Sequence, residues 1–323
     1  MNVLTDYHQG ALYKSSHLLF EKRLGYNLYR PIGYDWYAHG YFRVAEPYGN
    51  PEATIGQYLD INDREWDSQK NLNGDYKLKD GIYHVYDKEN KIHHKAITLE
   101  QFKKMRFDIV MPSHPLHTNW EELAGEAKYI MQLGNENQET DAVNILSSVF
   151  AYKPKEYQNV MYYHQEFDLN EYYYEPPKNH KMINSYVLNM SDRETFFIYK
   201  SALPEFEMYC EKSNDLANDM RNSAFGWHIK PWDGYGHVIH NWYAVGRPVI
   251  TRGTYYEGKT GGLLLEDGVT CIDLDKHSFE ENIRLIRYWS KPDNHRKMCY
   301  NAYDRFCKVV DFNKEAKKIR EWL

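Results

Sequence analysis

With 323 residues, the chain is long enough for two domains of ordinary size, each with its own core. Its 42% hydrophobic and 27% charged residues exclude a disordered chain, and a net charge of −6 leaves no overall basic field to attract nucleic acid. There is no run of about eighteen apolar residues, no charged-then-apolar signal pattern in MNVLTDYHQG, and no Cys-x-x-Cys spacing among Cys210, Cys271, Cys299 and Cys307; the expectation is a cytoplasmic protein without a membrane span and with reduced, buried thiols.

In chain order, Asn2 to Tyr7 reads as a strand, and Ala11 to Leu24 has helical spacing with Leu12, Leu18, Leu19 and Phe20 on one side. Gly25 ends that helix and Tyr26 to Ile32 is a second strand. Strand, turn, helix, strand opens a Rossmann-like unit, and the absence of Gly-x-Gly-x-x-Gly removes the main support for a dinucleotide-dependent oxidoreductase. His8, just past the first strand, is either structural or a contact to a substrate.

Residues 34–98 break the alternation and read as an aromatic-rich insertion. Within it, YKLKDGIYHVYDKENKIHHKAI predicts a hairpin with turns at Asp80-Gly81 and Lys88-Glu89-Asn90. Its rings suit either surface packing or an acceptor platform. His93-His94 has no partner at ligand spacing, and no metal site is expected.

Leu99 to Met105 predicts a helix, and Phe107 to Met111 a buried strand ending in Pro112-Ser113-His114-Pro115. Lys128 to Leu133 is a strand, Asn144 to Phe150 helix-like and Asn159 to His164 a strand. The polar segment with paired prolines near Glu175 to Lys181 reads as an interdomain linker. Alternation resumes with a strand at Ile183 to Leu188, a helix at Arg193 to Ala202, a strand at Phe206 to Cys210 and a helix at Asp215 to Ser223. Phe279 onward is helical, and Asn313 to Leu323 is a terminal basic helix.

The most specific stretch is GWHIKPWDGYGHVIHNWYAVGRPVI, Gly226 to Ile250. Gly234 and Gly236 allow backbone N–H groups to approach a ligand, and the helix predicted from His237 to Val245 directs its positive end at the same loop, which suits a phosphate. Gly246 and Pro248 stop that helix.

DGYGHVIHNWYAVGRPVI resembles the donor-binding segment of GT-B-fold glycosyltransferases, particularly the retaining family 4-like group. The resemblance implies an α/β chain of GT-B architecture, with two Rossmann-like domains facing across an interdomain cleft. Residues 1–175 would form the acceptor-side domain and 182–311 the nucleotide-sugar domain, with a terminal helix at 312–323 crossing back. Residue by residue, Asp233 takes the family's first acid and Gly234 and Gly236 its glycines, while Tyr235 and His237 share the loop. The second acid, which holds the donor ribose, falls on Asn241. Arg193, Lys200 and Lys230 are the bases implied for the diphosphate, and Thr260-Gly261-Gly262-Leu263 resembles a later donor loop.

The implied activity is sugar transfer from a nucleotide-sugar co-substrate to an acceptor hydroxyl. It would proceed without a cofactor or catalytic metal and with retention of configuration. His8 and His114 are the candidate catalytic residues; His8 also stands where inverting relatives keep a base. The acceptor is a glycan or a hydroxymethylated pyrimidine in DNA. A phosphorylase or epimerase on the same fold, and a non-catalytic sugar-nucleotide-binding relative, are the alternatives.

Overall fold

The structure, a computed structural model, describes residues 1–6, 10–32, 36, 76–87, 91–113, 120–134, 139–186, 193–210, 213–231 and 235–323. His8, His114, Asp233 and Gly234 therefore lie outside the described residues. The chain divides into two compact units, one of Met1–Ser147, Lys153–Glu166 and Glu315–Leu323, the other of Ser148–Tyr152 and Phe167–Lys314.

In the first unit, β1 (Asn2–Thr5) leads into α1 (Gly10–His17), a π-helical turn at Leu18–Arg23 and β2 (Asn27–Pro31). After β3 (Tyr76–Lys79), β4 (Ile82–Asp87) and β5 (Ile92–Ile97) come α2 (Leu99–Lys104), β6 (Ile109–Met111) and α3 (Trp120–Ala124). β7 (Lys128–Tyr129), β8 (Met131–Leu133), β9 (Asn144–Ser147) and β10 (Asn159–Tyr162) follow. One sheet runs β3-β4-β5-β2-β1-β6-β7 and a second β10-β9-β8. β7 and β8 are one extended run: the N–H groups of Ile130 and Gln132 still bond to Val110 O and Pro112 O at 3.0 and 2.9 Å, which carries the first sheet into the second. Among the described residues only the pairs β3–β4 and β4–β5 are antiparallel.

Successive residues of a strand face opposite sides of its sheet. Val3 packs with Tyr13 and Phe20, and with Ala316 and Ile319 of the last helix, whereas Leu4 packs with Trp120, Val110 and Leu99. The helix after β1 therefore covers one face and the helix after β6 the other. Between these adjacent parallel strands the winding reverses.

Two sequence expectations change here. Residues 144–150 do not form a helix; 144–147 are β9, a central strand with Ile145 and Leu146 fully buried. An apolar run buried on both faces has no alternation to distinguish it from a helix. The segment read as an insertion supplies β5, which pairs in parallel with β2 inside the main sheet. Asp80 and Gly81 do make the β3–β4 turn, both at positive φ (53° and 78°), as a two-residue hairpin loop requires. His93 and His94 are strand neighbours on opposite faces, with His94 buried against the Tyr13 ring.

The second unit is one parallel sheet in the order β12-β11-β13-β14-β15. β11 (Met182–Ser185) is followed by α4 (Arg193–Ala202), β12 (Glu207–Cys210), α5 (Leu216–Asn222) and β13 (Phe225–Trp227). Then come α6 (His237–Ala244), β14 (Val249–Thr251), β15 (Cys271–Asp273), α7 (Phe279–Trp289) and α8 (Pro292–Val309), while α9 (Phe312–Trp322) belongs to the first unit from Glu315 onward. Asp215 and Ser278 cap α5 and α7 by accepting from the N–H groups of Asn218 and Glu281. Phe196 of α4 and Ile283 of α7 share a core with Ile183, Phe225 and Ile250; Trp242 of α6 and Met220 of α5 share the other with Val249 and Cys271. The winding thus reverses between β11 and β13.

The chain leaves the first unit after Glu166, earlier than the proline-marked segment at 175–181. Phe167 already packs on the rings of Tyr172, Phe306 and Phe312 in the second unit. Among the described residues no helix is long and apolar enough to cross a membrane.

Candidate functional site

β13 ends at Trp227 and the chain runs through His228-Ile229-Lys230 toward Gly236, which starts α6 in the left-handed conformation, φ 78° and ψ 39°. A residue with a Cβ resists that conformation by about 1–2 kcal/mol. The Gly236 carbonyl accepts from the N–H groups of Ile239 (3.0 Å) and His240 (3.2 Å) and from His240 Nδ1 (2.9 Å). The His240 ring lies flat on Tyr235, 4.3 Å between centroids and 13° between planes. Tyr235 is 3% exposed, so the stack buries its ring beside the start of α6. Past Gly236, α6 presents the N–H groups of its first turn at the carboxyl edge of the sheet.

A second glycine segment backs the first. Gly261 starts a 3₁₀ turn, Gly261–Leu264, and its Cα would lie 3.1 Å from a Cβ placed on Gly236. Thr260, fully buried, holds this turn: its Oγ1 accepts from the Phe150 N–H at 3.0 Å and donates to Ser148 O at 2.8 Å. Lys259 donates from Nζ to Pro231 O at 3.2 Å, which brings a cation to the loop between β13 and α6. Sequence reasoning missed Lys259, although its place directly before Thr-Gly-Gly was a signal.

Of the remaining predicted residues, Lys230 is half-buried three residues past β13, and His237 opens α6 with its ring edge-on to Phe167 at 5.6 Å. Asn241 lies one turn further into α6, 3% exposed, and its Oδ1 has no hydrogen-bond partner among the described residues. Buried side-chain acceptors are seldom left so, which makes this atom available to a hydroxyl. Arg193 starts α4 and lies over the Phe197 ring at 5.6 Å, whereas Lys200 sits in that helix's last turn. About 10 Å of helix separates them, so α4 does not bring the pair together. Among the described residues no group of three or more His, Cys, Asp or Glu could hold a metal ion.

Arg247, also missed, anchors the far end of α6. It is 1% exposed and donates to Arg221 O (2.6 Å), Ser223 O (2.9 Å), Glu175 O (2.9 Å), Val245 O (3.0 Å) and Gly246 O (3.2 Å). These carbonyls include the last ones of α5 and α6, so the negative ends of two helices compensate the buried charge. Burial still lowers its pKa.

Solved structures align with this fold over the whole chain. The Anabaena protein HepE, in complex with UDP-glucose, aligns over 100% of both chains with a TM-score of 0.56 and 10% identity. The fold is that of the GT-B glycosyltransferases. Sucrose-phosphate synthase from Thermosynechococcus elongatus aligns at a TM-score of 0.57 over 100% of this chain and 98% of its own, with 9% identity. The pneumococcal O-GlcNAc transferase GtfA, in complex with UDP and GlcNAc, aligns at 0.57 over 99% and 98%, with 8% identity. No family model matches the sequence, and no curated protein does. In this GT-B chain Gly236 and α6 belong to the second unit, at the carboxyl edge of its sheet.

Proposed function

We propose that the chain is a glycosyltransferase that moves a hexosyl or pentosyl group from a nucleotide-sugar to an acceptor hydroxyl, with retention and without a catalytic metal. The observation that carries this reading is the start of α6, set behind left-handed Gly236 at the carboxyl edge of a parallel sheet, in a chain of GT-B fold. When the sugar–phosphate bond breaks, negative charge develops on the departing diphosphate. The N–H groups at a helix start, together with Lys230 and Lys259, stabilise that charge with dipoles fixed before the reaction. Asn241 Oδ1 supplies an acceptor for a donor hydroxyl, where the resembling family has an acid.

Thermal unfolding across a panel of UDP- and GDP-hexoses tests donor binding. A true donor at ~100 times its dissociation constant adds about 2.7 kcal/mol of stability. Release of nucleoside diphosphate then separates a transferase from a relative that only binds. The same release in EDTA tests independence from a metal. No stabilisation by any nucleotide-sugar overturns the proposal.

A further inference from the structure

α5 and α7 begin on a capping side chain, Asp215 and Ser278, whereas α6 begins on Gly236, which has none. The place of its first turn is therefore set by what packs against it. Gly261 does so with backbone alone: a Cβ on Gly236 would lie 3.1 Å from Gly261 Cα and 3.5 Å from Gly261 N. The next residue of that turn meets backbone too, since a Cβ on Gly262 would lie 2.1 Å from the Tyr256 carbonyl oxygen. Backbone packed on backbone has no rotamer to absorb a shift, so a displacement of the turn passes to the start of α6. Thr260 holds the turn in an unusual way. A threonine at an N-cap ordinarily bonds the N–H groups of its own first turn, and Thr260 makes no such bond. Its hydroxyl, fully buried, donates to Ser148 O at 2.8 Å and accepts from the Phe150 N–H at 3.0 Å, so two bonds of opposite sense fix its oxygen between residues 148 and 150.

We infer that Thr260 is a positioning residue for the donor site: by anchoring the Gly261 backbone, it holds the first-turn N–H groups of α6 where charge develops on the departing diphosphate. It touches no substrate and acts through Gly261 and Gly236. Lys259, the residue before it, shares the anchor, so the cation and the helix start are placed together. The inference rests on the transferase reading and names what sets the geometry of its charge stabilisation. The diphosphate gains negative charge as the sugar leaves, so amides aimed at it count for more in the transition state than in the bound donor. A misplacement of about 1 Å costs ~10²-fold in rate.

The experiment uses the full chain, the nucleotide-sugar of the UDP- and GDP-hexose panel that stabilises it most, and the matching nucleoside diphosphate. Turnover is diphosphate release, and both affinities are measured separately. Thr260→Val keeps the shape and removes both bonds, while Thr260→Ser keeps the hydroxyl. Ser223→Ala is the matched control. Ser223 is also fully buried in the second unit, and its hydroxyl also makes two bonds, donating to Asp219 O at 2.7 Å and accepting from Asn184 Nδ2 at 2.6 Å, at the amino end of β13. Thr260→Val is expected to lower kcat by about tenfold or more and to weaken the diphosphate by a similar factor, with nucleotide-sugar affinity down by no more than about threefold. Thr260→Ser should recover most of the rate, and Ser223→Ala should keep kcat within about twofold of wild type. If Thr260→Val does not fold, Thr260→Cys, whose thiol bonds weakly, is read in its place against the same outcomes. The inference is overturned if the folded variant turns over at the wild-type rate, if nucleotide-sugar affinity falls as far as the rate, if Thr260→Ser restores nothing, or if Ser223→Ala loses as much. Should wild type bind no nucleotide-sugar, or bind one and never release diphosphate, the transferase reading fails and the inference with it. Turnover in wild type with an unaffected Thr260→Val removes the inference alone.

Discussion

Gly261 places its Cα 3.1 Å from the point that a Cβ on Gly236 would occupy, so two glycine backbones pack directly behind the start of α6. Gly236 therefore has a structural reason to be glycine, besides any ligand. Its φ of 78° adds a second. Gly236→Val is expected to lower the stability of the second unit by about 2 kcal/mol or more, from backbone strain and the contact with Gly261. Denaturant unfolding measures this. Gly261→Ala is the gentler probe: its Cβ would meet Gly236 Cα and Ile239 Cδ1 at 3.5 Å, ordinary contact distance. Unaltered stability in Gly236→Val would show that the loop tolerates a side chain after all.

Asn241 gives a prediction about the donor. Its buried Oδ1 has no hydrogen-bond partner among the described residues, so a bound hydroxyl gains a bond at little rearrangement. Asn241→Ala is expected to weaken nucleotide-sugar binding about tenfold, the ~1.4 kcal/mol of one hydrogen bond, and to leave unfolding nearly unchanged. Titration calorimetry with wild type and variant checks it. Equal affinities would assign Asn241 to packing.

How far the sequence reaches depends on whether an element's signal is local. α4 is bounded by the residues that its pattern predicted, Arg193 and Ala202, and α5 sits between its Asp215 and Ser223 caps. The glycine stretch was equally legible, because a left-handed turn and a helix stop leave residue-type signatures at Gly236 and Gly246. Ile145, Leu146 and Val149 fit a helical stripe, and only the places of β8 and β10 on either side make 144–147 a strand. β15, three residues long, was too short to read. Lys259, Arg247 and the Thr260 anchor depend on partners far away in sequence, which spacing alone does not reveal.

Arg247 predicts a stability effect without a catalytic one. Its guanidinium serves carbonyls from α5, α6 and residue 175, and neither Met nor Lys can supply those bonds. Arg247→Met leaves several buried acceptors unpaired, each worth about 1–3 kcal/mol, and is expected to lower stability by about 3 kcal/mol or more. Arg247→Lys should recover little of that. Guanidinium-chloride midpoints of the three proteins decide it; a Lys variant as stable as wild type would mean that charge alone suffices.

The last prediction concerns acid. His295, fully buried, receives a 2.8 Å contact from His180 between their Nδ1 atoms, while its Nε2 donates to Ala224 O at 2.8 Å. Because Ala224 O can only accept, the proton of neutral His295 is on Nε2, and Nδ1 accepts from His180. A second proton on His295 would set two donors against each other. Burial, with further contributions from His180, Arg247 and Arg296, pushes its pKa down from 6.5 to about 4. The unfolded chain then binds more protons than the folded one between those values. The stabilisation is complete above about pH 6.5, falls as the pH drops through that window, and is gone below about pH 4. A shift of this size corresponds to about 3 kcal/mol. In the first unit, burial opposes ionisation of Glu21, but bonds from His17, Lys95 and the Leu28 N–H outweigh it and hold its pKa at about 2. That contribution is present above about pH 4.5 and lost only as the pH falls toward 2. Acid should therefore weaken the second unit first. Hydrogen exchange of each unit between pH 7 and pH 3 reads the order, and His295→Gln should flatten the loss above pH 4. Simultaneous loss of protection in both units, or an unchanged slope in the variant, would remove His295 as its cause.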